Sequence, residues 1–330
     1  MANDVVVSST TNLGAWTNWA LNEVSARFDS GLIPFDDYSK KCASDAMSAI
    51  YQLVQNTDKT DLSQIDTSNL RDIVIRCASL KLSATALPRE VYFQLRNKKI
   101  NGEYVKVVEM GVEGDGNDAL LRNFGVGVQE VYPVWLVHEG DDFTYPKRKG
   151  LKIEPPEWQP KGLSDKVIRV VYPVKLKGKS AEEYLISERT SVKMNLMAHI
   201  RNNLMNETFG LAKSRYDATA EQKKKIEAKK SEIYDALRKC ETVDDMIECE
   251  IAKPYISAAW LDSPESMIIR KMRNNAIRKF PKDMSSIANQ SIMQMDEAYK
   301  ESRDEIEENE NSRPFVIDGE MKELIDEDPV

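Results

Sequence analysis

The spacing of apolar residues changes period twice along this chain, and that change limits the fold more than any single motif. Over residues 12–28, Trp16, Trp19, Ala20, Val24 and Phe28 recur at helical spacing, and over 36–55 so do Tyr38, Cys42, Met47, Ile50, Tyr51 and Val54. Asp66, Thr67 and Ser68 offer caps for a third helix over 68–80. The period then drops to two. Residues 91–95 and 104–110 read as the strands of a long β-hairpin with a polar tip at 97–103 that contains the turn-forming pair Asn101 and Gly102. A short helix over 117–124 closes at Gly125, and further strands over 126–138, 142–145, 167–176 and 184–186 complete a core of about five strands. Between them, residues 147–162 read as a loop rich in Pro, Lys and Trp. Helical spacing returns over 190–209, 219–240 and 264–280. The expected class is therefore α+β: an N-terminal helical segment at 1–80, a β-rich core with C-terminal helices at 81–290, and a tail at 291–330.

Charge divides along the same lines. The 330 residues sum to a net −8, but from residue 295 onward fourteen acidic side chains face four basic ones, so the tail carries −10 and the rest of the chain +2. Low apolar content predicts a disordered acidic tail, with Phe315, Val316 and Ile317 as its compact apolar anchor. Basic residues gather at 96–99, 147–152, 223–230 and 270–282. The run at 223–230 alternates with acids and reads as a solvated helical face. In the last helix Ile269, Met272, Ala276 and Phe280 make one face, and Arg270, Lys271, Asn274 and Arg278 the opposite one.

Several classes of function find no footing. No apolar run reaches the roughly 18 residues of a membrane helix, and residues 1–11 lack the basic start and apolar stretch of a secretory signal, so a cytoplasmic protein with no membrane partner is expected. Cys42, Cys77, Cys240 and Cys249 have no paired CxxC spacing and read as reduced, mostly buried thiols. Neither His138 nor His199 has a cysteine at ligand spacing, so neither a metal nor another cofactor is expected. The chain has no GxxxxGK[ST] loop to seat ATP hydrolysis. Glu182, Glu183 and Glu188 would be the carboxylates of a metal-dependent nuclease, but in so charged a chain they read as solvent-facing.

Five segments, taken in order, carry a resemblance to a known family. Cys77, Leu80 and Leu82 precede the first hairpin strand; Gly111, Val112, Glu113 and Gly114 follow the second and lead, as one segment, into Ala119, Leu120, Leu121, Arg122 and Gly125. Val137, Glu139, Gly140, Asp141 and Phe143 form the next block, Ser187, Glu188, Arg189 and Thr190 another, and Ile268, Lys271, Ala276, Ile277, Arg278 and Lys279 the last. This series, spanning roughly residues 19–284, resembles the RecT family of phage single-strand annealing proteins. The chain departs from the family in the glycine turn, where Val112 and Glu113 replace an aromatic and a basic residue, so no DNA contact carries over to that turn. Residues 206–263 are also longer and more charged than the family's equivalent.

The resemblance implies ATP-independent pairing of complementary DNA strands during phage homologous recombination by a homo-oligomer, a ring or helical filament. Its N-terminal helices would supply oligomer contacts, and its partners would be single-stranded DNA, the annealed duplex, a 5'-3' exonuclease and a host single-strand-binding protein. Annealing makes and breaks no covalent bond, so the chain is expected not to be an enzyme and to need cations on phosphates and rings against bases. Candidate DNA-binding residues are Arg96, Lys98, Lys99, Tyr104 and Lys106 on the hairpin, Lys147, Arg148 and Lys149 in the loop, and Arg270, Lys271, Arg273, Arg278 and Lys279 on the last helix. Trp16 and Trp19 read as helix packing or a subunit contact. A structural or scaffolding phage protein is the alternative, since helical termini and an acidic tail suit it equally.

Overall fold

A computed structural model describes residues 13–28, 36–57, 61–100, 103–150 and 152–282; the tail and its apolar anchor lie outside these. Three helices open the chain: α1 (Leu13–Phe28), α2 (Asp37–Gln55) and α3 (Thr67–Leu80). The second and third are bounded by local contacts. Asp36 caps α2 by accepting the Ser39 amide at 2.8 Å, and Asp66 caps α3 through the Asn69 amide at 2.8 Å. Lys81, left-handed at φ 52°, ends α3 and reaches back to the Asp36 carboxylate. Trp16, Ala20 and Val24 are buried as the helical spacing requires, and Trp16 meets Trp19 edge to face at 5.5 Å.

The hairpin is longer than its apolar pattern suggests. Strands β1 (Val91–Ile100) and β2 (Glu103–Val112) pair antiparallel from Val91↔Val112 to Ile100↔Glu103, so most of the expected polar tip is strand. Polar residues hold strand geometry here because cross-strand hydrogen bonds fix the backbone whichever side chain it bears. The Asn69 side chain anchors the hairpin to α3, accepting the Val108 amide at 2.7 Å and donating to its carbonyl at 3.1 Å.

Helix α4 (Gly114–Phe124) begins at the base of the hairpin. The Glu90 carbonyl accepts the Glu113 amide at 2.8 Å and lies where a β-carbon on Gly116 would sit, 2.1 Å away, so only glycine lets the helix approach so closely. At its far end Gly125 stops the helix without a left-handed turn, at φ −59°. It caps the helix as expected, its amide donating to the Leu121 carbonyl at 2.9 Å, and a β-carbon there would strike Val128 and that carbonyl.

The central sheet has four strands. β3 (Val128–Val131), β4 (Trp135–His138) and β10 (Glu183–Glu188) all pair antiparallel with β9 (Val167–Leu176). The expected strand at 142–145 leaves it. Gly140, at φ +91°, turns the chain, and β5 (Asp142–Phe143) pairs instead with β8 (Trp158–Gln159). The stretch read as a loop contains a second ribbon, β6 (Lys147–Lys149) against β7 (Lys152–Glu154).

Helices α5 (Val192–Leu204), α6 (Ala220–Lys239), α7 (Val243–Ile247), α8 (Ala258–Asp262) and α9 (Pro264–Arg278) follow. Val170 and Leu136 join residues of α5, α6 and α9 around the buried Trp260, while Tyr172 and Val174 pack with Leu121, Ala276 and Ile277. The inward face of α9 is Ile268, Met272, Ala276 and Ile277, with Ile269 only partly buried, one step from the expected stripe. Cys42 and Cys77 are buried, and burial pushes the Cys42 thiol up to about 12; Cys240 and Cys249 are half-exposed. No helix among the described residues is long and apolar enough to cross a membrane.

Candidate nucleic-acid interface

The start of α4, the base of the hairpin and α9 converge on a cleft of about 410 Å³, lined by Arg89, Glu113, Asp115, Ser266, Arg270 and Arg273 among others. Arg89 is exposed just before β1, whereas Arg270 and Arg273 stand one helical turn apart on α9. Two of these guanidiniums are already paired. Arg270 binds the Glu113 carboxylate, although its Nε is buried and finds no acceptor. Arg273 donates to Asp115 at 2.7 Å, to Asp118, and to the Tyr172 hydroxyl at 2.8 Å, while that hydroxyl donates to Asp118 at 2.8 Å.

These contacts separate residues that look equivalent in the sequence. Arg273 belongs to an internal network joining α9, α4 and β9, so it is not part of an exposed basic face. One of its three partners, Asp118, is held by burial as well as charge. The Asp118 carboxyl lies above its ordinary value because burial, with some help from Asp115, outweighs the pull of Arg273. Lys271 is half-buried, its pKa lowered first by desolvation and then by the charge of Arg270. Arg278 and Lys279 are exposed at the end of the helix, as the sequence suggests.

On the hairpin, Arg96 is held by Glu109 at 3.0 Å and Gln94 at 3.0 Å. The Lys106 ammonium lies 3.4 Å from the Gln64 side chain, and its carbonyl accepts the Asp66 amide at 3.0 Å. Lys98, Lys99 and Tyr104 are paired strand residues in backbone terms; their side chains lie outside the described set. In the β6–β7 ribbon Lys147, Arg148 and Lys152 are exposed, and Lys149 pairs with Glu154 at 2.5 Å. The candidates thus fall on three surfaces.

No family model, curated protein or solved structure matches this chain.

Three further cations, none of them among the candidate DNA-binding residues, stand near these surfaces. Arg89 borders the cleft; Arg122, in the last turn of α4, and Lys177, after β9, are exposed. Backbone bonds gather the latter two with the end of α9: the Val126 amide donates to the Pro281 carbonyl at 2.9 Å, and the Lys177 amide to the Gly127 carbonyl at 2.7 Å. Isolated single cations carry no local signal, and only the closure of α4 on α9 groups them. By contrast, two of the three carboxylates considered as nuclease ligands have cationic partners: Glu183 binds Lys179, and Glu188 accepts from Arg169 at 2.7 Å.

Asp141 and Arg189, from two of the sequence blocks, act as fasteners. Asp141 accepts from the His138 amide at 2.9 Å, the Lys161 amide at 2.8 Å and the Trp158 indole at 3.0 Å. Arg189, buried, donates to the Val167 carbonyl at 2.9 Å, to Asp244 at 2.6 Å and to Glu265 at 3.0 Å, tying the end of β10 to α7 and the first turn of α9.

Proposed function

We propose that this protein is an ATP-independent single-strand DNA annealing protein that works as a homo-oligomer in the cytoplasm of a bacterial host. The arginine-lined cleft at the base of the hairpin carries this reading. A phosphate entering it meets the exposed Arg89 and a guanidinium, Arg270, whose present partner is one carboxylate. Such donors hold a sugar–phosphate backbone without reading its sequence, which is what annealing of arbitrary strands demands. The order of sequence blocks shared with the RecT family supports the same reading, as does the near-neutral to positive charge of the chain outside its acidic tail.

The hairpin and the β6–β7 ribbon would extend the phosphate contacts beyond the cleft, and neighbouring subunits would continue them along the strand. A 5'-3' exonuclease that supplies the strand and a host single-strand-binding protein that covers it are the partners this activity calls for. The deciding experiment is fluorescence anisotropy with a labelled oligonucleotide, followed by addition of the complementary strand without ATP. Annealing faster than the protein-free rate is expected. A protein that binds neither strand, or binds and leaves that rate unchanged, is not an annealing protein.

A further inference from the structure

The side of the sheet turned away from the helices carries a row of aromatic rings. Side chains alternate along β9, and Val170, Tyr172 and Val174 pack with helical residues, so Arg169, Val171 and Pro173 point the other way. Trp135 lies opposite Val171 and Tyr184 opposite Pro173, which places both rings on that outer face. Trp158 reaches in from β8 and stacks on Trp135, with centroids 5.6 Å apart and planes 27° apart, and Tyr184 lies 6.0 Å from Trp135. Trp135, Trp158 and Tyr184 are all only partly buried.

This arrangement is held in place, not merely collapsed. The Asp141 carboxylate fixes the Trp158 indole at 3.0 Å. At the next step along the face, Arg169 lies between the rings of Phe143 and Tyr145, 4.3 and 4.5 Å from their centroids, and donates to the Tyr145 hydroxyl at 2.6 Å. Tyr145 is 51% exposed and stands two residues before the exposed Lys147 and Arg148. Rings therefore run into cations at this end. The Tyr145 hydroxyl in turn donates to Glu188 at 2.8 Å, and at the other end Glu182 stands beside Tyr184 and Glu130 opposite Lys175.

We infer that this face is a second contact surface for single-stranded nucleic acid, on which unpaired bases stack against Trp135, Trp158, Tyr184 and Tyr145 while the β6–β7 cations hold the phosphates. Half-exposed rings beside a cationic ribbon match the two parts of a single strand, a π-faced base and an anionic backbone, and suit every base alike. A duplex hides its base faces and is a poor ligand here. The surface lies across the sheet from α9, and the inference rests on the annealing reading, since both require single-strand binding.

The test uses the full chain and an oligonucleotide carrying 5-iododeoxyuridine, irradiated and mapped by mass spectrometry, together with affinities for Tyr145→Ala, Tyr145→Phe and Trp158→Ala. Cross-links at Trp135, Trp158, Tyr145 or Tyr184 are expected. Affinity should fall about tenfold for Tyr145→Ala, the loss expected when one base–ring stack goes, but stay near wild type for Tyr145→Phe, which keeps the ring. Tyr145 is exposed enough for both variants to fold, which circular dichroism verifies, so the outcome does not hang on Trp158. If the wild type binds but cross-links only around Arg89 and Arg270, with Tyr145→Ala unchanged, this surface is refuted and the annealing reading stands. If Tyr145→Ala or Trp158→Ala changes the sedimentation of the DNA-free protein without changing affinity, the face is a subunit contact and the inference is likewise overturned. A wild type that binds no oligonucleotide refutes both.

Discussion

Arg270 and Arg273 show how little residue type says about role. Three positions apart on one helix, both face carboxylates, but Arg273 holds two of them and a tyrosine hydroxyl, while Arg270 holds one and keeps a buried Nε without an acceptor. Glu113 is thus the internal competitor of any phosphate that approaches Arg270. Glu113→Gln should raise oligonucleotide affinity several-fold, because the guanidinium no longer gives up an ion pair on binding; equal affinities at low salt would remove Glu113 from the site. Asp36 offers a test of stability instead. The Lys81 hydrogen bond, aided by the Ser39 amide against a smaller opposing effect of burial, lowers its carboxyl from an ordinary 3.8 to about 2. Because the folded value lies below the unfolded one, this contribution is fully present above pH 3.8 and is lost as pH falls through about 2. Asp36→Ala should cost about 1 kcal/mol at neutral pH, measured by urea unfolding, as loss of a helix cap does, and the difference from wild type should shrink below pH 3.8.

Among elements, the buried Arg189 matters most. It gathers a strand end, a short helix and the first turn of α9 onto one guanidinium, and the desolvation that this burial costs is offset by the carboxylates of Asp244 and Glu265. The Asp244 carboxyl is held below its usual range, first by the Arg189 hydrogen bond. Arg189→Met should destabilise the chain by about 2 kcal/mol, since it removes the charged hydrogen bonds to the Val167 carbonyl and Glu265, while Asp244 keeps Lys166 at 3.3 Å. Thermal unfolding measures this, and a shift of less than a degree would show that the network is dispensable. The hairpin depends on its neighbours in a different way. Asn69 occupies both hydrogen-bonding groups of Val108, so Asn69→Ala should speed amide exchange along β2 while α2 keeps its protection. Uniform loss of protection would mean that the hairpin and helices unfold together.

At the level of the whole molecule, the balance of charge sets how it meets DNA. A chain of net −8 binds a polyanion only through segregated cations, so affinity should fall steeply with salt, and Lys147→Ala or Arg148→Ala should each reduce the slope by about one. An affinity flat across salt would refute an electrostatic interface. The fourteen acidic residues beyond position 294 oppose such binding, so deleting residues 313–330 should leave annealing in vitro intact while lowering recombination in cells, where Phe315, Val316 and Ile317 would serve as the grip for a partner. A truncated protein that fails to bind DNA would contradict this.

The amino-acid sequence by itself determined the α+β class, the order of the helices, the cap at Asp66 and the β-hairpin, because each depends on residues a few positions apart whose spacing or hydrogen bonding acts locally. It also determined which segments are rich in cations. Only the tertiary structure decided which cations remain available: Asp115, Asp118 and Tyr172, which bind Arg273, are about 100 residues or more away in the chain, as the separations of 158, 155 and 101 show. The aromatic face was hidden for the same reason. Trp135, Trp158 and Tyr184 share no period, and they meet because β4 and β10 pair with opposite edges of β9 while Gly140 and Asp141 fold β8 back over the sheet. Spacing along a chain records what a helix or strand does with its own neighbours. Long-range pairing of charges and rings depends on backbone register between distant segments, and no local pattern of residues carries it.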